Sequence, residues 1–159
     1  MADQLAGIDR AIAAHLALPG ALLPVLHAIQ DELGYVPKEA VPRIAEALNL
    51  SQAEVHGVIS FYHDFRSHPP GRHVVKLCRA EACQAMGSDA LARRLTDRTG
   101  ATFGETSADG ALTVEPVFCL GNCACSPALS IDGRLHGRVT LERLDALVAE
   151  LQSPVETRR

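Results

Sequence analysis

The stretch His73-Val-Val-Lys-Leu-Cys78-Arg-Ala-Glu-Ala-Cys83 decides how the rest of the chain is read. Its first six residues form a short segment rich in β-branched and apolar side chains, the pattern of a buried strand, and that strand carries Cys78 at its end. A matching stretch lies downstream, Cys119-Leu-Gly-Asn-Cys123-Ala-Cys-Ser-Pro127, again just past a segment of strand character, Ala111-Leu-Thr-Val-Glu115. A loop leaving a strand end can hold two sulfurs in one concave turn. Two such loops on neighbouring strands can gather four thiols around one centre. Gly121 and Asn122 permit backbone conformations closed to bulkier residues, and Pro127 has no amide to donate, so the second loop is expected to wrap tightly with amides aimed inward.

Outward from these loops, Ser88 opens a helix with Leu91 and Leu95 on one face, closing at Gly100. Asp109-Gly110 favours a tight turn or hairpin between Ala101-Thr-Phe-Gly-Glu-Thr106 and Ala111–Glu115, and Asp132-Gly133 separates Ala128–Ile131 from Arg134-Leu-His136. Thr140 can cap a last helix with Leu141, Leu144, Leu147, Val148 and Leu151 on its apolar side. This order predicts an α/β or α+β domain on a small mixed sheet over residues 71–152, with 153–159 a polar tail.

Upstream, His68-Pro-Pro-Gly71 cannot continue a helix and reads as a linker. Residues 1–70 before it form a helical docking segment in this reading. Leu22, Leu26, Ile29 and Leu33 repeat at helical spacing up to Gly34, and Val41, Ile44, Ala45 and Leu48 do so up to Asn49. Ser51-Gln-Ala-Glu54 has the form of a capping box, followed by the stripe Val55, Val58, Ile59 and Tyr62. A further helix is expected from about Gln4 to Leu18. The aromatic residues Phe61, Tyr62 and Phe65 read as helix packing where the two parts meet.

Composition narrows the function classes. The 159 residues are 47% hydrophobic and 21% charged, enough to build a packed core. Lys+Arg 15 against Asp+Glu 19 gives a net charge of −4 without a basic stripe, which argues against nucleic-acid binding. Apolar runs stay well below the roughly 18 residues of a membrane span, and Met1-Ala-Asp-Gln-Leu5 lacks a signal peptide's cationic start. The expectation is a soluble, cytoplasmic protein without membrane insertion. Five cysteines, an odd number, then point to metal, redox or catalytic use rather than a disulfide framework.

Spacing alone leaves three chemistries open for the pairs Cys78/Cys83 and Cys119/Cys123. A four-cysteine structural zinc site would make the chain a scaffold or interaction module, although zinc knuckles more often use a two-residue gap. The wider gaps suit a bulkier iron-sulfur cluster. A thiol-redox or nucleophilic role has neither a C-x-x-C pair nor a base placed by motif beside one special cysteine. His56, His63, His73 and His136 read as surface histidines, and Cys125 as a small buried apolar residue near the centre.

The stretches Leu22-Leu-Pro-Val-Leu-His-Ala-Ile-Gln-Asp-Glu-Leu-Gly-Tyr-Val-Pro37, Ala53-Glu-Val-His-Gly-Val-Ile-Ser-Phe-Tyr-His-Asp-Phe65 and Pro69-Pro-Gly-Arg-His-Val-Val75 resemble the thioredoxin-like 2Fe-2S ferredoxin subunits of the complex I family. Gly104-Glu-Thr-Ser-Ala-Asp-Gly110 and the cysteine pairs extend the resemblance to about Leu151. It implies a thioredoxin-like domain behind helices, a 2Fe-2S cluster held by Cys78, Cys83, Cys119 and Cys123, and a partner subunit that binds FMN and NAD. Within the family, Cys78-Arg-Ala-Glu-Ala-Cys83-Gln-Ala-Met-Gly87 and Cys123-Ala-Cys-Ser-Pro-Ala128 look most like the gamma subunit of soluble, molybdenum-dependent, NAD-linked formate dehydrogenases. That implies a molybdenum-containing formate dehydrogenase subunit in the same assembly. The equivalent subunits of NADH:quinone oxidoreductase and of NAD-reducing hydrogenase are the alternatives. Cys125 lies outside the family's ligand pattern. The chain has no G-x-G-x-x-G after a strand, no P-loop and no G-x-S-x-G elbow, so nothing in it binds NAD or flavin by motif, and a one-electron relay is the expected role.

Overall fold

The computed structural model describes residues 2–152; the expected polar tail lies outside them. Chain contacts divide at the double proline into two compact units, 1–69 and 70–159.

The first unit is helical: α1 (Ala2–His15), α2 (Leu22–Leu33), α3 (Ala40–Leu48) and α4 (Gln52–Phe61). The helix ends follow from local chemistry. Gly34 (φ 83°) and Asn49 (φ 53°) close α2 and α3 in the left-handed conformation. Ser51 opens α4 with a complete capping box: its Oγ accepts from the Glu54 amide at 3.1 Å, and the Glu54 carboxylate accepts from the Ser51 amide at 2.8 Å. Ile8, Val25, Leu26, Ile29, Ile44 and Val55 are fully buried in a common core. Gln30 ties the loop after α4 to this core, donating to the Asp64 carbonyl at 2.7 Å and accepting from the Arg66 amide at 2.7 Å.

Two expectations for this unit are corrected. The first helix runs from Ala2 to His15 rather than to Leu18, and Leu16 and Leu18 are exposed ahead of Pro19-Gly20. Of the three aromatics only Phe65 is buried. Phe61 is 72% exposed and Tyr62 is also exposed, because the buried stripe of α4 is Val55 and Ile59, one turn apart, and the helix ends before another turn can bring Tyr62 onto that stripe.

The second unit is a four-stranded sheet with helices packed on it. The strands are β1 (His73–Cys78), β2 (Leu112–Val117), β3 (Leu129–Ile131) and β4 (Arg134–His136), in the order β2-β1-β3-β4. β1 and β2 are parallel, with Cys78 opposite Val117. β1–β3 and β3–β4 are antiparallel. Parallel neighbours need a long crossover, here supplied by α5 (Glu81–Ala85) and α6 (Ser88–Thr99). α7 (Leu141–Gln152) follows the hairpin, opened by Thr140, whose Oγ1 accepts from the Arg143 amide at 3.2 Å. Val75, Leu77, Leu112, Val114 and Leu129 from the strands meet Leu91, Leu95, Leu144 and Val148 from the helices in one core.

The turn at Asp109-Gly110 forms, but only one arm of the expected hairpin is a strand. Residues 101–106 bend instead: the Glu105 amide donates to the Thr102 carbonyl, and the Glu105 carboxylate accepts from the Thr102 amide and hydroxyl. That arm still meets β2 through the bridge of Thr106 to Thr113 and through the Gly104 and Ser107 amides, which donate to the Val114 and Leu112 carbonyls at 2.8 Å, but it forms no strand. No helix among the described residues is long and apolar enough to cross a membrane.

Candidate metal centre

Two adjacent strand ends deliver the cysteines. Cys78 is the last residue of β1, and Cys119 follows β2 by two residues. Because β1 and β2 run parallel and side by side, both loops leave the same edge of the sheet. Between Cys78 and Cys83 the chain forms α5, so Cys83 sits on a one-turn helix rather than in the open loop expected. The second pair is spanned by Leu120-Gly-Asn122, with Gly121 at φ 72°, and a 3-10 turn then covers Cys123–Cys125. Asn122, by contrast, keeps a negative φ of −109°.

The two pairs differ in environment. Cys78 and Cys83 are each 2% exposed, walled by Ala128 with Ala80, Val117 and Leu120 packed against them. Cys119 and Cys123 are exposed, their sulfurs 3.8 Å apart. Burial pushes the Cys78 thiol above the ordinary cysteine range; the Ala80 and Leu120 amides, hydrogen-bonded to its sulfur, oppose the rise, and neighbouring Cys83 adds to it. Burial acts on Cys83 in the same sense, yet hydrogen bonds from Ser126, Cys78 and the Ala128 amide outweigh it and hold this thiol below its ordinary value. The Cys123 thiol is raised, chiefly by its hydrogen bond with Cys119 and by repulsion from that neighbour, with smaller contributions from Cys83 and Cys78. Charge on the buried pair is thus felt at Cys123.

These residues fit an iron-sulfur cluster. The thiols stand as two close pairs, and a 2Fe-2S cluster takes two thiolates on each iron. Amides reach the sulfurs as such clusters use them: Ala80 and Leu120 on Cys78, Ala128 on Cys83, and Gly121 on Cys119 at 3.3 Å.

Two supports escaped the sequence reading. Ser126 lies between the pairs, its Oγ donating to the Cys123 carbonyl at 2.6 Å. Gly137, in the loop after β4, passes so close to the 3-10 turn that a Cβ there would stand 2.7 Å from Asn122 Nδ2 and 2.9 Å from the Cys125 carbonyl oxygen. The next two amides clamp the same turn, Arg138 donating to the Cys125 carbonyl at 2.7 Å and Val139 to the Pro127 carbonyl at 3.0 Å. Nothing local in His136-Gly-Arg138 signals this, since the contact partner is more than ten residues away. Cys125 is half-buried beneath Gly137. His56 and His63 are exposed, and His73 Nδ1 meets Asp132 Oδ2 at 2.7 Å on the far end of β1.

Residues 8–152 match the model of the thioredoxin-like [2Fe-2S] ferredoxin family. The chain belongs to that family. Its cofactor is accordingly a 2Fe-2S cluster, and the structural zinc reading gives way to it. Relatives include an NADH-quinone oxidoreductase subunit of Pseudomonas aeruginosa, 38% identical over 119 residues, 75% of this chain and 72% of that one. The HndA subunit of the NADP-reducing hydrogenase of Solidesulfovibrio fructosivorans is 30% identical over 131 residues, 82% of this chain and 77% of its own. Among solved structures, a chain of the NAD+-reducing [NiFe]-hydrogenase in the air-oxidized state superimposes with a TM-score of 0.70 at 28% identity. It covers 87% of this chain, which spans only 24% of the hydrogenase chain.

Proposed function

We propose that this ferredoxin is the one-electron carrier subunit of a larger NAD-linked oxidoreductase, with Cys78, Cys83, Cys119 and Cys123 as the cluster's ligands. The observation that carries the reading is the pairing of thiols at two adjacent parallel strand ends, with amides aimed at the sulfurs. When bound, the cluster supplies reversible uptake of a single electron. The chain does the rest. Cys78 and Cys83 anchor one side in an apolar, water-poor wall, and Cys119 and Cys123 bring the other side to the surface. Phe118, 76% exposed immediately before Cys119, and Met86, also exposed, leave apolar surface near that face for a partner to cover.

The partner is a flavoprotein subunit that binds FMN and NAD, since a flavin can split a hydride's electron pair into the single electrons a 2Fe-2S centre handles. For the parent assembly we favour an NAD-dependent formate dehydrogenase with a molybdenum-containing subunit, on the strength of Cys78-Arg-Ala-Glu-Ala-Cys83 and Cys123-Ala-Cys-Ser-Pro-Ala128. The similarity to the NADH-quinone oxidoreductase and NADP-reducing hydrogenase subunits supports those assemblies equally. Five cysteines, an odd number with four of them assigned to the cluster, suit a reducing compartment better than a disulfide framework, so a cytoplasmic location belongs to the same proposal.

The test is iron, sulfide and zinc analysis of anaerobically purified protein, with EPR before and after dithionite. The expected result is two irons and two sulfides per chain, silent when oxidised and paramagnetic when reduced. Zinc without a reducible centre after attempted reconstitution would refute it. Co-purification from native extract with a molybdopterin subunit, rather than with a hydrogenase or quinone-reducing assembly, would support the formate dehydrogenase reading.

A further inference from the structure

One side chain touches both cysteine pairs. Ser126 Oγ lies 3.6 Å from Cys83 Sγ, within hydrogen-bonding reach for an atom as large as sulfur, and 2.6 Å from the Cys123 carbonyl oxygen. Ser126 is 8% exposed, so water does not compete effectively for either contact. Its backbone is held on both sides: the Ser126 amide donates to the Cys123 carbonyl at 3.3 Å, and the next residue's carbonyl accepts from Val139. With Cys83 as a free thiol, the sulfur donates to Ser126 Oγ and the hydroxyl hydrogen goes to the Cys123 carbonyl. A thiolate ligand has no hydrogen, and a serine hydroxyl can both donate and accept. Across this contact only Ser126 is then able to donate, and its single hydrogen does so by turning away from the Cys123 carbonyl, which keeps the Ser126 amide as its donor at 3.3 Å.

We propose that Ser126 is a positioning residue of the iron-sulfur centre, its hydroxyl donating to the Cys83 thiolate in the cluster-bound protein and making the centre easier to reduce. The inference rests on Cys83 being a ligand, as proposed above. Reduction adds one electron and breaks no bond, and part of the added charge falls on the ligand sulfurs. A donor dipole aimed at such a sulfur stabilises the more negative state more than the less negative one. The other donors to the cysteine sulfurs, at Ala80, Leu120, Gly121 and Ala128, are backbone amides that substitution leaves in place. The hydroxyl of Ser126 can be removed.

The experiment is a dithionite titration followed by EPR on the full-length, cluster-loaded chain as wild type, S126A and S126T. S126A is expected to keep two irons and two sulfides while its one-electron equilibrium moves about tenfold toward the oxidised form, ~59 mV. S126T, which retains a hydroxyl, should stay within about twofold of wild type. A fully loaded S126A with the wild-type potential would overturn the proposal. If S126A cannot hold iron, S126V against S126T makes the same comparison between side chains matched in shape. Resonance Raman gives a second readout: because the backbone amides exchange in every variant, the D2O shift of the iron–cysteine stretching bands should be larger in wild type and S126T than in S126A or S126V, and equal shifts overturn the proposal. Wild-type protein unable to bind a cluster at all would overturn the ligand assignment instead.

Discussion

Cys78 and Cys83 share their burial, and Cys119 and Cys123 their exposure, so each pair has one environment. Without the cluster, iodoacetamide should modify Cys119 and Cys123 well before Cys78 and Cys83, whereas cluster loading should protect all four. Peptide mass spectrometry reads the order, and equal labelling of both pairs in the cluster-free protein would contradict the buried wall. Replacing any of the four by serine should cost most of the bound iron. Cys125→Ser should leave it, because Cys125 makes no thiol hydrogen bond among the described residues while its backbone carbonyl is occupied by Arg138. Full iron in Cys119→Ser with loss in Cys125→Ser would reassign the ligands. The two cysteine pairs were legible because each lies in one short stretch. Ser126 was not, because its partner Cys83 lies 43 residues away.

Helix α4 and the turn before α7 show what single elements contribute. The Glu54 carboxyl is held below its ordinary 4.5 by the backbone and side-chain hydrogen bonds of Ser51. A lowered folded-state value means that the unfolded chain binds more protons on acidification. This contribution is therefore complete above about pH 4.5 and is lost as pH falls through the folded value. The Tm difference between wild type and Glu54→Gln should be largest near neutrality and shrink as pH falls below 4.5; a constant gap would exclude the carboxylate as its cause. At Gly137 a methyl group would press on the Cys125 carbonyl and the Asn122 amide, so the loop that carries Cys119 and Cys123 must move. Gly137→Ala is expected to cost about 1–3 kcal/mol in the range of overpacking. It should also speed iron loss to a chelator, and a variant that melts and holds iron like wild type would show that the loop yields freely. The capping box was readable from four consecutive residues. The bend at 101–106 was not, since Asp109-Gly110 announces a turn without stating how far its arms stay paired.

Among the described residues each compact unit carries its own large apolar core, and the four cysteines all belong to the second unit, two of them in a smaller buried cluster with Ala128. Ligands bound only by the folded state stabilise the part that holds them. Chelating the iron should thus raise amide hydrogen exchange in 73–83 and 117–139 and leave α2 to α4 nearly unchanged. Equal loosening of both units would mean that the cluster stabilises more than its own core.

Sequence alone determined what short range decides. It located the ends of α2 at Gly34 and α3 at Asn49, the capping box of α4, the strand ending at Cys78, the hairpin at Asp132-Gly133 and the two cysteine pairs. Each depends on the conformational preferences or chemistry of a few neighbouring residues. Tertiary structure alone decided which thiols face water, that Phe61 and Tyr62 remain exposed, that Ser126 joins the two loops and that Gly137 must lack a side chain. Those outcomes depend on which distant segments come within a few ångströms of each other, and no local pattern encodes that distance.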